Sequence, residues 1–186
     1  YNSLAAISVA LYYGCSPEII KTALENIKIP GRSELVPNKK ELSIMIDYAH
    51  SPESLENILQ AVKTYTKGRV IVVFGCGGDR DTSKRPIMGE IAGRIADYSI
   101  VTSDNPRTED PELIVKDIEK GIAKTKGKYE VIVDRKEAIE KAISMANKKD
   151  IIILAGKGHE PYQEINKKKY PFDERIIVKD IINKMK

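Results

Sequence analysis

Short apolar runs punctuate the middle of the chain, at residues 42–46, 70–74, 98–101, 129–133 and 151–155. Most of their residues are β-branched, as in parallel strands buried on both faces. Between the runs the apolar period lengthens to that of amphipathic helices. Ser51-Pro52-Glu53 opens one through about Val62, with Ser as N-cap and Pro at the first helical position. Asp110-Pro111-Glu112 opens another through about Ile122, and Pro86 stands near the start of a helix ending at Ala96. Asp134 followed by Glu137 is a capping-box pattern for a helix to about Ala146. Ahead of the first run, Leu4, Ile7, Val9 and Leu11 predict an apolar helix that Gly14 ends. Ser16-Pro17-Glu18 then opens a second, to about Asn26, before the break at Pro30-Gly31. After Gly156 the pattern changes. Residues 162–165 and 169–172 read as a hairpin around Asn166-Lys167-Lys168, and 176–185 as a closing helix. Strand and helix alternate from 42 to 155, which predicts a doubly wound α/β sheet with helices on both faces.

Composition narrows the class. Of 186 residues 41% are hydrophobic, which argues against a disordered chain. A chain of this size buries roughly 70% of its unfolded surface, enough for a real core. The length suggests one domain with an extra piece. No apolar run approaches the roughly 20 residues of a membrane helix, and no signal peptide is visible. The opening on Tyr1, mid-pattern, suggests a fragment. The net charge of +4 is mild, and basic residues are interleaved with acids, which argues against a nucleic-acid face. Lys167-Lys168-Lys169, the densest basic run, reads as a solvated hairpin tip. With no Trp and two Phe, a stacking platform for single strands is also disfavoured. Two distant cysteines and two histidines disfavour a disulfide framework and a structural zinc site, and suit a reducing cytoplasm. Cys76, beside glycines, reads as a small residue filling a tight turn rather than a reactive thiol.

In an open α/β sheet, ligands bind beyond the carboxyl ends of the strands. Four loops there are rich in polar residues. The first is Asp47-Tyr48-Ala49-His50-Ser51. Ser51 has a capping role, whereas Asp47 and His50 need not be polar for the fold. The second is Gly75-Cys76-Gly77-Gly78-Asp79-Arg80-Asp81, with Lys84 and Arg85 beyond it. Its glycines let backbone approach a ligand closely, and its charges favour an anion. It lacks the G-x-x-x-x-G-K-[ST] spacing of a P-loop, as does the whole chain. The third is Ser103-Asp104-Asn105-Pro106-Arg107. Asn-Pro explains a turn, but not the flanking Asp104 and Arg107; an arginine here suits a carboxylate held by two parallel hydrogen bonds. The fourth is Gly156-Lys157-Gly158-His159-Glu160, where a carboxylate close to a buried strand end favours an ammonium partner. Both signs of charge at one sheet edge complement a zwitterionic amino acid; a sugar phosphate also fits.

The strings D-Y-A-H-S-P, F-G-C-G-G-D-R-D, K-R-P-x-M-G, D-N-P-R-T-E-D-P and G-K-G-H-E, in this order, resemble the C-terminal part of the Mur ligase family. The resemblance implies a Rossmann-like, mostly parallel open sheet. It also implies that residues 1–30 are the terminal helices of a central ATP-binding domain and 31–186 the C-terminal domain. In such ligases ATP phosphorylates a carboxylate, and an amino acid's amine then attacks the acyl phosphate to form an amide. The principal ATP and Mg2+ sites lie in the central domain, so a fragment without the P-loop is expected to be inactive alone. Within the family the motifs fit members that add meso-2,6-diaminopimelate to UDP-N-acetylmuramoyl-L-alanyl-D-glutamate during peptidoglycan synthesis. By that resemblance Arg80, Asp104, Asn105, Pro106, Arg107, Gly156 and Glu160 line the amino-acid site. Arg80 and Arg107 would face its distal carboxylate and Glu160 its distal ammonium. Asn2, Arg32, Asp47 and His50 match positions that touch ATP. The protein is then expected to be cytoplasmic and monomeric, with neither nucleic acid nor membrane as partner. Lysine lacks the second carboxylate, so Arg107 favours diaminopimelate; lanthionine, with the same two ends, stays open. Two alternatives are a non-catalytic amino-acid or nucleotide-binding module and a related ligase such as a folylpolyglutamate synthase.

Overall fold

The structure, a computed structural model, describes residues 2–185. Two helices lead, α1 (Asn2–Tyr12) and α2 (Pro17–Asn26). There follow β1 (Glu34–Leu35), β2 (Ser43–Asp47), α3 (Pro52–Lys63), β3 (Val70–Phe74), α4 (Lys84–Ile95), β4 (Tyr98–Val101) and α5 (Pro111–Ile122). The chain continues with β5 (Tyr129–Val131), α6 (Arg135–Met145), β6 (Ile151–Ala155), the hairpin strands β7 (Tyr162–Ile165) and β8 (Lys168–Pro171), and α7 (Glu174–Lys184). The expected α/β class is borne out. The caps are those the residues announce: Ser16, Ser51, Asp110 and Asp134 each accept a hydrogen bond from a first-turn backbone N–H.

Six strands form one sheet in the order β1-β2-β6-β3-β4-β5. Every pairing within it is parallel except that of the short edge strand β1 with β2. The last central strand, β6, thus slots between β2 and β3. Alternate residues feed two cores. Val70, Val72, Phe74, Ile151 and Ile153 pack against α3, α4 and α5 on one face. Ile71, Val73, Ile152, Leu154, Ile44 and Ile46 pack against α6 and α7 on the other. Each fully buried aliphatic side chain contributes roughly 1.5–3 kcal/mol of transfer free energy.

Five details depart from the sequence reading. The two-residue β1 is too short to leave a periodic signal. Asp47 ends β2 opposite Ala155 instead of starting the loop after it. The hairpin turns on two residues, Asn166 (φ 50°) and Lys167 (φ 63°), so Lys168 belongs to β8. Both turn residues are left-handed, the geometry of a tight two-residue hairpin. Residues 132–133 lie beyond β5, and α7 begins at Glu174.

Beneath the carboxyl end of β6 lies a buried ion pair. Arg135 Nε donates to Glu174 Oε1 at 2.8 Å, and Arg135 Nη2 donates to Ala155 O at 2.9 Å. The pair ties the starts of α6 and α7 to the end of β6.

Helices α4 and α5 meet backbone to backbone. A Cβ on Gly121 would overlap Pro86 O, and one on Gly89 would overlap Ile118 O. Alanine is the better helix former by about 1 kcal/mol, yet here it must push the helices apart. Gly121→Ala is therefore expected to lower the unfolding free energy by about 1–3 kcal/mol, the usual cost of overpacking. Urea denaturation checks this, and a stabilised variant would remove the close-approach account.

Candidate functional site

Because β2, β6, β3 and β4 lie side by side, the loops at their carboxyl ends stand in one row. They enclose a polar cavity of about 570 Å³. Its walls include Tyr48 and His50 after β2, Gly156 and Glu160 after β6, Gly77, Arg80, Asp81 and Lys84 after β3, and Asp104, Asn105 and Arg107 after β4. Tyr162 and Glu164 of β7 complete it.

The glycines after β3 serve the packing of loop on loop. A Cβ at Gly75 would strike Thr102 O, and one at Gly78 would strike Pro106 O. The expected close approach of backbone therefore goes to the neighbouring loop at these two positions, not to a ligand. Only Gly77 faces the cavity, with Arg107 Nη1 2.8 Å from where its Cβ would be. Arg85 braces the same loops from below. It is buried and donates from Nη2 to both oxygens of Glu109 at 2.9 Å and from Nη1 to Asp117 at 3.1 Å. Glu109 in turn accepts from Asp79 N, and Asp79 accepts from Thr108 Oγ1 at 2.7 Å. That last bond holds the Asp79 carboxyl below its ordinary range.

Arg107 is pinned in a left-handed backbone conformation, φ 52°. Such a residue costs of order 1–3 kcal/mol and persists only when its surroundings fix it. Here its N–H donates to Glu164 O at 3.0 Å, and its carbonyl accepts from Asn166 N at 2.6 Å. Its guanidinium donates from Nη1 to Gly78 O at 2.7 Å, and its Nε lies 3.5 Å from Glu164 Oε2. Arg80 is exposed and makes one long hydrogen bond, to Asp79 O at 3.5 Å. Lys84 donates to His50 O at 2.7 Å. Cations thus come to the cavity from the β3 and β4 loops.

The opposing carboxylates surround a buried lysine. Lys157 is fully buried, and its Nζ donates to Asn105 Oδ1 at 2.9 Å. The same nitrogen lies 3.6 Å from Asp104 Oδ1 and 3.6 Å from Glu160 Oε2. Asn105 Nδ2 donates to Glu160 Oε2 at 2.8 Å. The ammonium partner expected of Glu160 is therefore already present within the chain. Sequence reasoning missed Lys157 because lysines are surface residues by default. The signal was its bracketing by Gly156 (φ 115°) and Gly158 (φ 54°), conformations that turn the loop back on itself. Tyr162 and Glu164 were missed too, since a chain order cannot say which hairpin faces a cavity; Lys84, read among the charges of the second loop, does line it.

Of the residues expected to touch ATP, three gather. The Arg32 guanidinium lies 4.6 Å from the centre of the Tyr48 ring, and the His50 and His159 rings lie 4.6 and 5.3 Å away on centroid distances. Asp47 Oδ2 accepts from Ser33 N at 2.7 Å, which anchors the Arg32 loop at the end of β2. This shelf of rings and cations suits an aromatic or anionic group. Asn2 opens α1 and is not among the residues lining the cavity. Pro106 is buried and shapes the third loop, beneath Gly78, without lining the cavity. Among the described residues no three His, Cys, Asp or Glu side chains converge to hold a metal ion.

A larger groove of about 1100 Å³ lies at the opposite end of the sheet, lined by Arg69, Arg94, Lys124, Lys126 and Lys128 with Glu90 and Asp97. Arg69 is paired with Asp150 and Arg94 with Glu56. The lysines follow the carboxyl end of α5, where the helix dipole favours cations.

The family described as Mur ligase, glutamate ligase domain, matches residues 31–158. The chain belongs to the Mur ligase family. It corresponds to the C-terminal part of longer members. It is 54% identical over 182 residues to the UDP-N-acetylmuramoyl-L-alanyl-D-glutamate–2,6-diaminopimelate ligase of Caldanaerobacter subterraneus subsp. tengcongensis, covering 98% of this chain and 38% of that protein. The enzyme of the same name from Clostridioides difficile is 50% identical, over 100% of this chain and 38% of its own length. A solved structure of a ligase of that name superposes with a TM-score of 0.78 at 39% identity, over 97% of this chain and 37% of that one. A bifunctional folylpolyglutamate synthase/dihydrofolate synthase from Yersinia pestis CO92 shares the fold, with a TM-score of 0.65 at 20% identity over 83% of this chain and 35% of that one. This Mur ligase domain thus spans less than two-fifths of the relatives it matches.

Cys76 is buried in the domain, and burial pushes its thiol up to about 12. Cys15 is exposed. Because the thiolate is the nucleophile, iodoacetamide at pH 8 is expected to label Cys15 and spare Cys76 in the native protein. Mass spectrometry of the labelled peptides checks it, and native labelling of Cys76 would mean that the glycine loop opens.

Proposed function

We propose that this chain is the amino-acid-receiving domain of an ATP-dependent ligase. The longer protein would join meso-2,6-diaminopimelate to UDP-N-acetylmuramoyl-L-alanyl-D-glutamate. The observation that carries the reading is that both signs of charge line one cavity. Arg80 follows β3 and Arg107 follows β4. Asp104, also after β4, and Glu160, after β6, gather around Lys157. A ligand with a carboxylate and an ammonium at its distal end matches both, and the names of the similar ligases supply that substrate class. In this reading Arg80 and Arg107 hold the distal carboxylate, and Glu160 and Asp104 the distal ammonium. Asn105 fixes Glu160, while Pro106 and Gly156 shape the walls. The reacting amine is then the end of the ligand left free to face a second domain.

ATP would supply the phosphoryl group that activates the acceptor carboxylate. Arg32 and His50, on the Tyr48 shelf, fit the anionic and ring parts of a nucleotide, and Asp47 holds the Arg32 loop in place. By the family resemblance Mg2+ is assigned to the remainder of the longer protein, with the P-loop that this chain lacks, as is the main contact of Asn2. We propose further that residues 1–30 belong to the preceding ATP-binding domain and 31–186 to the C-terminal one. Helix α1 has no buried residue and exposes Leu4, Val9, Leu11 and Tyr12. From Gly31 onward the chain is tied in: Gly31 N donates to Glu34 Oε2 at 2.6 Å, and Glu34 takes two hydrogen bonds from Arg175. No helix among the described residues is long and apolar enough to cross a membrane. The reading makes the protein a cytoplasmic monomer acting on small molecules, not on nucleic acid.

The test is product formation by the longer ligase with ATP, the nucleotide dipeptide and either meso-diaminopimelate or L-lysine. Product with diaminopimelate and little with lysine is expected; binding without ATP-dependent product would favour a non-catalytic module, and glutamate transfer a folate-type ligase. In the same assay Arg107→Ala is expected to raise the KM for the amino acid at least about tenfold, since a hydrogen bond to a charged group is worth roughly 1.5–3 kcal/mol. An unchanged KM would remove Arg107 from the site. Deleting residues 1–30 from this chain is expected to leave its thermal midpoint unchanged within about 2 °C, roughly 0.5–1 kcal/mol for a domain of this size, because α1 buries no residue. A larger drop would make α1 and α2 part of this domain.

A further inference from the structure

Lys157 is paired with the same two carboxylates that the reading gives to the ligand ammonium, and a buried lysine is costly unless it is paired. Its surroundings show what the pairing achieves. The side chain has no exposed surface, whereas those of Asp104 and Glu160 keep 9% and 18%. The lysine therefore sits behind the two carboxylates, with the carboxylates toward the cavity. Asn105 is the hub. Its Oδ1 accepts from Lys157 Nζ and from Glu164 N, both at 2.9 Å, and its Nδ2 then has one orientation, donating to Glu160. Gln163 Nε2 holds the Asp104 carbonyl at 2.6 Å. The rings of Tyr162 and Phe172 lie 5.9 and 6.0 Å from Nζ and close the pocket from the hairpin side.

Counting charge is informative. Lys157 offsets one of the two carboxylates. Behind them the pair Arg135–Glu174 is neutral as a unit. Asp104, Glu160 and Lys157 together keep one net negative charge, which is what one ammonium group neutralises. We infer that Lys157 is the positioning residue of the ammonium subsite: it fixes Asn105 and Glu160 in place and reduces the two carboxylates to a net charge of one. This rests on the amino-acid reading above and deepens it. Without Lys157, two carboxylates would share a poorly solvated site. One would take up a proton or draw in a second cation, and Glu160 would lose its fixed direction. Burial lowers the Lys157 ammonium, but Asp104 and Glu160 on either side oppose that, with Arg135 and Glu174 behind adding one contribution of each sign.

The test uses Lys157→Met, which keeps the length and removes the charge, in the longer ligase. The KM for the amino acid is expected to rise at least about tenfold, the loss of one well-placed charged contact. The KM values for ATP and for the nucleotide dipeptide are expected to stay within twofold, and kcat at saturating amino acid to fall by less than about threefold, because uniform binding is removed and not the chemistry. All three KM values changing together, or the amino-acid KM unchanged, overturns the role. A wild-type ligase that forms no product with a diamino diacid sinks the functional reading instead, so the two failures are distinguishable. Should Lys157→Met not fold, nitrogen NMR of the wild-type chain decides. The Lys157 Nζ signal is expected at the ammonium position and in slow exchange at pH 7; a neutral amine there overturns the charge count.

Discussion

Strand β6 pairs with β2 through five residues and with β3 through four, although about a hundred residues of chain separate β2 from β6. That insertion sets the rest of the molecule. It places the last functional loop, 156–160, between loops made early in the chain, so Glu160 and Lys157 can reach Asn105. It also divides the helices: α3, α4 and α5 carry the chain outward across one face, while α6 brings it back across the other. The alternating burial of β3 and β6 against both cores leaves no freedom of register, because a slip by one residue would turn every side chain to the wrong face. The site inherits that rigidity, since its loops leave from the ends of strands that cannot shift.

Around this end of the sheet, charge does what apolar packing does elsewhere. Arg135 and Glu174 under β6, Arg85 under the β3 and β4 loops, and Lys157 between the loops are all buried ions with partners. Buried pairs rarely add much stability over apolar groups of the same volume, because desolvation offsets their attraction. What they do fix is direction. Arg85 sets Glu109, Glu109 sets the backbone of Asp79, and Asp79 sets Thr108 beside Arg107. A carboxylate or guanidinium that must meet a small zwitterion needs to be aimed within a fraction of an ångström, and such chains of fixed hydrogen bonds supply the aim.

Much of the fold was legible because local rules and tertiary packing agreed. The caps at Ser16, Ser51, Asp110 and Asp134 mark helix starts by a mechanism that works within four residues. The β-branched runs mark strands buried on both faces. What stayed hidden depends on pairing across the chain. No local pattern says that β6 lies between β2 and β3, and β1 is too short to have a period. Asp47 looked like a loop residue because carboxylates rarely end buried strands, yet Ser33 N–H supplies the partner that allows it. The candidate site divides in the same way. Arg80, Asp104, Asn105, Arg107, Gly156 and Glu160, named by the family resemblance in loops that follow strands, do come together, as do Arg32, Asp47 and His50. Gly75 and Gly78 were read as making room for a ligand, but they make room for the neighbouring loop. Lys157 reads as a surface residue until the fold shows which acceptors surround it, and Asn2 sits apart.

The cavity is one-sided by construction. It holds fixed carboxylates and guanidiniums suited to an amino acid, while the chain contains no P-loop and its described residues no metal cluster. Groups that bind an amino acid's far end and groups that activate a phosphate impose opposite electrostatic demands. A carboxylate pair that welcomes an ammonium repels a polyphosphate. In the ligase proposed above, separating them onto different domains would let each site keep its own charge, with the amine meeting an activated carboxylate where the two domains face each other. The one net negative charge of Asp104, Glu160 and Lys157 would fit that division. It would hold one ammonium and add little repulsion toward an anionic group on the Arg32 and His50 side.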